Sequence, residues 1–384
     1  MDLNLRAKDW NVATMGPNLR TIDWNVTAIG QSLKTIDWNV TTMDRSFSWD
    51  LNFLTANYDR LALESRIFRT LVIIQYIYYP ILAIFGVPVN LLTIVILSRG
   101  KCGLSKCVTR YLVAMAAADL MVIILDLILR QIVIVYWEQF FFLYYVPVCN
   151  IHAVMLYAAI DCSVWFTVTF TFDRFVAICC QKLKSKYCTK KTAAVVLGTV
   201  TVLSCLKNTF WYFMSTSLYL LENVPWFCFV TMDALESQVW TTIEFLHHIV
   251  TPAVPFVLIL LLNAVTIRHI VVSNRNRRRF RSHSRGESLR DPEMDSRRKS
   301  MILLLLISGN FILLWAVFLV YSIWKRMWNF GYDSVFLHRF VQEMAFMLQL
   351  LSCCTNTCIY AVTQTKFREQ LKYPFTRIVK LMKR

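Results

Sequence analysis

Seven long apolar runs limit what this chain can fold into: Leu71–Ser98, Val108–Arg130, Val146–Cys179, Thr192–Met214, Trp240–Val272, Met301–Trp324 and Phe336–Val362. Each reaches the roughly 20 residues that a helix needs to cross a hydrocarbon core about 30 Å thick. Membrane-crossing strands would instead give alternating segments of about ten residues. With 57% of its 384 residues hydrophobic, the chain is also too apolar for an ordinary soluble protein. The expected fold is an all-α membrane protein, a seven-transmembrane helix bundle.

Charge predicts the orientation. Residues 99–110 carry four Lys or Arg and residues 180–191 carry five, with no acid in either segment. Residues 268–299 have a net charge of +7 and residues 366–384 a net of +6. All four segments fall on one side of a seven-helix arrangement, and basic loops mark the cytoplasmic side. The N-terminus is then extracellular, and the localisation is the plasma membrane, in multiple passes. Charge divided among juxtamembrane loops points to membrane lipids as partners and to no nucleic acid. Met1-Asp2-Leu3-Asn4-Leu5-Arg6 has no apolar core, so the first run is expected to act as its own signal anchor. Three regions follow: an extracellular tail over 1–70, a seven-helix domain over 71–365 and a cytoplasmic amphipathic tail over 366–384. In that last region Phe367, Leu371, Phe375 and Ile378 alternate with basic residues, as in a short helix lying on the inner leaflet and interrupted near Pro374.

The tail repeats itself with a period of 14, in Asp9-Trp10-Asn11-Val12, Asp23-Trp24-Asn25-Val26 and Asp37-Trp38-Asn39-Val40. Three short units cannot build a solenoid core, so the tail reads as disordered, with ligand capture as the alternative role. Asn25 and Asn39 begin N-x-T sequons and are expected to be glycosylated. Of twelve cysteines, Cys149 and Cys228 alone fall in expected extracellular positions. A single pair in an oxidising compartment most simply forms one disulfide. The other cysteines show no zinc-site spacing, and neither a phosphate loop nor a nucleophile–base pattern suggests an enzyme.

Inside the runs stand motifs in a fixed order. They are Gly86-Val87-Pro88-Val89-Asn90, Met115-Ala116-Ala117-Ala118-Asp119, Asp173-Arg174-Phe175, Pro255, Phe311 with Trp315, and Asn356-Thr357-Cys358-Ile359-Tyr360 followed by Phe367. Together they resemble the rhodopsin-like (class A) G-protein-coupled receptors over roughly residues 71–378. Ser163–Thr169, Leu314-Trp315-Ala316 and Gly86–Leu97 resemble, more narrowly, an orphan branch whose known members respond to aromatic amino acids.

The resemblance implies a receptor that binds an extracellular ligand and activates a heterotrimeric G protein. It gives Asp173, Arg174, Phe175, Phe311, Trp315, Asn356 and Tyr360 the role of the activation switch. It gives Asp119 a sodium-binding role, with Asn90, Ser163, Ser352 and Asn356 as oxygen donors, which suit a hard cation. The alternative is a protonated Asp119 hydrogen-bonded to the same groups. Three departures from the family's pattern bear on activation: its tryptophan in the middle of the fourth run is absent, Val317 stands in place of a proline, and Thr357 in place of another. Thr357 would loosen its helix through a side-chain-to-backbone bond.

The ligand pocket is expected between the outer halves of runs three, five, six and seven. Its candidates are Arg130, Leu156, Asp161, His248, Trp315 and Gln342, with Glu244 and Glu343 as further polar groups. Leu156 replaces the aspartate of amine receptors and Leu350 the opsin lysine, so biogenic amines and covalent retinal are disfavoured. An aromatic amino acid or short peptide would need a cation for its carboxylate, and Arg130 is the best available. Asp126, four residues earlier, is its alternative partner. Asp161 is either a ligand contact or a hydrogen-bonded core acid. Ser282, Ser284, Ser288 and Ser300 have basic neighbours and are candidate phosphorylation sites. From a different class, a seven-helix transporter or channel would need repeat symmetry or broken helix pairs, which are not evident. A receptor-like decoy with weak coupling is the other alternative.

Overall fold

The computed structural model of the chain describes residues 46–136, 149–217, 228–230, 237–281, 292–329 and 338–372. The repeats, Asn25, Asn39, Ser282, Ser284, Ser288 and the tail beyond residue 372 lie outside the described residues, as do the side chains of Cys149, Cys228 and Glu244. Among the described residues, seven helices are long and apolar enough to cross a membrane: Arg66–Ser98, Lys106–Ile132, Asn150–Cys179, Lys190–Phe213, Gln238–Ser273, Ser300–Trp324 and Phe340–Thr363. These spans, numbered one to seven below, agree with the sequence runs to within a few residues at most ends. The helix of span one starts upstream, at Ser46.

Burial is inverted relative to a soluble protein. Ile77, Ile84, Leu206, Leu313 and Val362 face outward, while Asn90, Asp119, Asp126, Asp161 and Asp173 are buried. In lipid the outer face need only be apolar, and polar groups survive where neighbouring helices satisfy them. Span three is the axis: 61% of its apolar window is buried, against 17% for span four. It packs on spans two, four, five and six, and span seven closes the ring against six and one. Leu97, Tyr111, Met115, Phe170, Leu303, Ile307, Tyr360 and Phe367 form the inner-end core. Leu71, Tyr79, Ile123, Leu127, Leu156, Met347 and Leu350 form the outer one. Gly86 permits a close approach of span one to its neighbours, because a Cβ there would stand 2.7 Å from Cys354 Sγ and 3.0 Å from Ile123 Cδ1.

Two helices depart from α geometry. Span two becomes a π-helix over Ile123–Ile132. Span five is interrupted at Ile249–Ala253, where Thr251 is extended (φ −143°, ψ 112°) ahead of Pro252. A residue preceding proline is pushed out of the helical region by the ring. The interruption therefore belongs to Pro252, not to Pro255, which sits in the first turn of the helix Val254–Arg281, where its missing N–H costs nothing. Span six lies within one helix, Pro292–Asn329, that runs through Val317. Thr357 does not act as expected, because its hydroxyl meets that of Thr93 on span one at 2.7 Å. Thr93 spends its own proton on Val89 O, so Thr357 donates across the interface and not onto its own helix.

Sequence reading missed a small hairpin, β1 (Ser215–Ser217) paired antiparallel with β2 (Cys228–Val230). Both strands lie against the helix that begins at Cys149. Three-residue strands are too short to show a period of two. After span seven, residues 365–372 form a further helix that buries Phe367 and turns Lys366 and Arg368 outward, as its amphipathic pattern predicts.

Candidate functional site

At the inner end of span three, Asp173 and Arg174 are both buried. Adjacent residues on a helix point about 100° apart, so these two can meet only by folding the long guanidinium back. It does so, with Arg174 Nε donating to Asp173 Oδ2 at 3.0 Å and the second contact made through Nη2. The remaining arm, Nη1, donates to Ser300 Oγ of span six at 3.1 Å. One guanidinium thus ties spans three and six together. Two thiols complete the surroundings: Cys107 Sγ donates to Asp173 Oδ1 at 3.1 Å and Cys188 Sγ contacts Asp173 O at 3.6 Å. Cys188 lies in the loop after span three, where burial and the Asp173 carboxylate push its thiol up to about 11. Phe175 is half-buried, its ring 6.2 Å from that of Phe172.

Deeper in, Asp119 spends both oxygens on neighbouring helices. Ser163 Oγ donates to Oδ1 at 2.5 Å and Asn356 Nδ2 to Oδ2 at 2.8 Å. Spans two, three and seven therefore meet at one carboxylate. Asn90 fastens span one, donating to Gly86 O at 2.9 Å and Cys353 O at 3.0 Å, while its own Oδ1 is buried with no hydrogen-bond partner. Ser352, expected beside Asp119, is engaged elsewhere: it donates to Gln349 O at 2.7 Å and accepts from Trp315 Nε1 at 3.1 Å. Asp119, Ser163 and the unspent Asn90 Oδ1 offer oxygen chemistry that suits a hard cation, whereas Asn356 presents its amide nitrogen to Asp119. Trp315 stacks on Phe311 (5.3 Å between centroids) and meets Phe318 edge-on at 5.6 Å.

Toward the outer face, Arg130 is held by Asp126, with Nε to Oδ1 at 2.8 Å and Nη2 to Oδ1 at 2.7 Å. The i, i+4 pairing read from the sequence is present, yet the Arg130 side chain keeps 30% of its surface exposed. Its guanidinium carbon also stands 5.5 Å above the Phe346 ring of span seven, within cation–π range. Phe346 neighbours Phe318 at 6.0 Å, so ring contacts run from Arg130 through Phe346 and Phe318 to Trp315. The π-helix positions this pair, and His152 Nε2 lies 2.8 Å from Leu125 O within the same turns. Gln75 Nε2 donates to Glu343 Oε2 at 2.8 Å on the facing helices.

Asp161 is a core acid. Lys207 Nζ of span four reaches its Oδ2 at 2.7 Å, and Asn208 Nδ2 donates to the same oxygen at 2.5 Å. Lys207 also donates to Thr251 Oγ1 at 3.0 Å, at the interruption of span five. This three-span network went unread in the sequence, although the signal existed. Lys207 is the one cation within the fourth apolar run, and a charge within a membrane span calls for a partner. Beside it Tyr157 stacks on Trp211 at 4.2 Å, with His247 edge-on to Tyr157 at 5.6 Å.

The family profile described as 7 transmembrane receptor (rhodopsin family) matches residues 89–360. The chain belongs to that family. It is therefore a receptor by descent and not an enzyme, and members of the family signal through a ligand and a G protein. The matched region opens at Val89, one residue before Asn90, and closes on Tyr360, so it contains every switch residue named above. Of the switch and ion-site residues, the receptor brings Asp119, Ser163 and Asn356 into direct contact, and joins Trp315 to Ser352. Tyr360 is buried against Phe367 (6.1 Å), its hydroxyl without a hydrogen-bond partner. Of the pocket candidates, Leu156 is buried in the outer core, Gln342 and His248 are half-buried, and the His248 ring lies 5.2 Å from that of His247.

Proposed function

We propose that this receptor captures an extracellular small polar or peptide ligand with a carboxylate, such as an aromatic amino acid, and activates a heterotrimeric G protein at the plasma membrane. The observation that carries the reading is Arg174, bonded at once to Asp173 and to Ser300 of span six. An ion pair with a cross-span hydrogen bond has two arrangements, held or released, which is what a switch requires. Release would separate the inner ends of spans three and six and expose Arg174 to the G protein. Tyr360, with its unsatisfied hydroxyl, would turn toward the opened space.

At the other face, the partly exposed Arg130 supports carboxylate capture, since guanidinium and carboxylate pair in bidentate fashion. A ligand taking Arg130 from Asp126 would disturb Phe346, and through Phe318 the Trp315 side chain. Between the two ends, Asp119, Asn90, Ser163 and Asn356 would hold a sodium ion, whose charge would neutralise the buried carboxylate and favour the closed arrangement.

The test is a panel of aromatic amino acids and short peptides applied to cells expressing the full chain, beside Arg130→Gln and Arg174→Ala versions at matched surface levels. The expected result is a response to a carboxylate-bearing compound that Arg130→Gln shifts to at least about tenfold higher concentration, as loss of a charged hydrogen bond requires, and that Arg174→Ala abolishes. A response retained with the amidated form of the compound would contradict carboxylate capture.

A further inference from the structure

Cys179 closes the helix of span three, and Cys180 joins it to a second helix, Gln181–Tyr187, which carries Lys182, Lys184 and Lys186. Both cysteines are half-buried, the three lysines are exposed, and Leu183 between them keeps 54% of its surface exposed. We infer that Cys180, with Cys179 beside it, is a site of S-acylation that takes a long-chain fatty acyl group as a thioester, and that this chain pins the Gln181–Tyr187 helix to the inner leaflet. The inference rests on the proposed orientation, in which the basic segments face the cytosol, and not on coupling to a G protein.

Position singles out this pair, since a thiol at the boundary of a span is where an acyl chain reaches lipid without strain. Elsewhere toward the inner side, Cys102 and Cys107 are buried, and Cys188 is turned onto Asp173 O at 3.6 Å. Cys358 lies inside span seven, more than a turn from its end at Thr363. Residues 359–384 hold no cysteine, so the amphipathic helix after span seven has no thiol for such an anchor. Within the pair, Cys179 lies against Thr266 of span five, whereas Cys180 (φ −117°, ψ 66°) stands outside both helices. The chemistry is thioester exchange. The Cys180 sulfur attacks the carbonyl carbon of a long-chain acyl-CoA on a membrane acyltransferase. A new carbon–sulfur bond forms, the bond to the coenzyme sulfur breaks, and the Cys180 thiol proton leaves with the coenzyme as its thiol.

A covalent chain supplies what this loop lacks. Seven residues make too short a helix to hold its place alone. Three lysines draw it toward an anionic surface, but that attraction fades within a Debye length. One such signal gives weak, reversible attachment, whereas an acyl chain beside a basic patch anchors firmly. The far end of the helix is already fastened, because Tyr187 meets Phe172 of span three edge-on at 5.5 Å. An acyl chain on Cys180 fixes the near end and brings the exposed Leu183 to the lipid. Cys188, which follows the helix, then stays beside Asp173. The anchored loop holds the surroundings of the Asp173–Arg174 pair in place.

The full-length receptor would be expressed in cells fed an alkyne-tagged long-chain fatty acid, purified from the surface fraction and assayed for the tag before and after neutral hydroxylamine, which cleaves thioesters. The expected result is a hydroxylamine-sensitive tag that Cys188→Ser and Cys358→Ser retain and that Cys179→Ser with Cys180→Ser loses, all variants melting alike. In nanodiscs, hydroxylamine treatment of the parent receptor should speed hydrogen exchange of residues 181–187 several-fold, a readout that needs no substitution. A tag unchanged by the double variant, no tag on receptor that has reached the surface, or exchange of residues 181–187 indifferent to hydroxylamine would overturn the inference. A membrane-impermeant maleimide added to intact cells separates the two failures. Labelling of Cys180 from outside would remove the proposed orientation and the inference with it, whereas an untagged Cys180 shielded from the reagent would leave the orientation standing and remove the acylation alone.

Discussion

The residues that matter most here are charges placed where charge is expensive, each tied to a neighbouring helix. Asp161 and Lys207 are the sharpest case, since the lysine side chain is 26% exposed and the carboxylate almost fully buried. Removing one partner of a buried pair strands the other, at a cost of about 3–5 kcal/mol, whereas an apolar pair of similar volume is often nearly neutral. Lys207→Met should therefore lower the melting temperature in detergent markedly, and Asp161→Leu combined with it should recover most of the loss. A double variant no more stable than the single one would contradict the pairing. A milder residue-scale prediction concerns Cys188. Its thiol is pushed up to about 11 by burial and by Asp173, so the reactive thiolate is scarce at neutral pH. Alkylation at pH 8 should run slower than that of a small-molecule thiol, and should accelerate as pH rises toward that value. Residue types were legible in the sequence because each acid or base stood out against an apolar run. From spacing alone, partners were legible only when they shared a helix, as Asp126 and Arg130 do; Asp119 with Ser163 and Asn356 was legible through the family resemblance. Lys207 with Asp161 and Ser300 with Arg174 join different helices, and spacing within one helix says nothing about register between two.

At the scale of elements, the seven runs gave span ends well because the hydrocarbon core sets a minimum apolar length. Interruptions were harder to place. Pro255 was read as the family's fifth-span proline, but the interruption falls at Pro252, since a proline near a helix start disturbs nothing while one after an extended residue ends the preceding turn. The π-helix in span two had no visible signal, because an added residue per turn is stabilised by tertiary partners such as His152 and not by local propensity. Val317 leaves span six unbroken where the family carries a proline. Val317→Pro should introduce a kink, loosen the inner end and raise basal nucleotide exchange several-fold, measured against the parent at equal receptor density. Unchanged basal exchange, with the variant folded by melting curve, would show that the kink does not limit opening.

For the whole molecule, charge and polarity are arranged by layer. Basic segments fall at one end of the spans, buried acids occupy the middle, and the sequons Asn25 and Asn39 belong to a tail expected at the other end. Asn25→Gln with Asn39→Gln should therefore abolish a glycosidase-sensitive mobility shift of receptor expressed in cells. No shift in the parent chain would place the tail inside and reverse the orientation. The wider organisation follows from one central helix: span three carries Asp161, Ser163, Asp173 and Arg174, and so touches each of the polar clusters linked to its neighbours. Movement of span six relative to it is the motion that Arg174 would restrain in the proposed switch.

The most direct test is nucleotide exchange on purified heterotrimeric G proteins by the full-length receptor in nanodiscs, compared with Arg174→Ala at equal receptor content. The account predicts catalysed exchange on at least one G protein by the parent chain and none above background by Arg174→Ala, with both proteins melting alike. Equal exchange by the two would contradict the assignment of Arg174 as the switch.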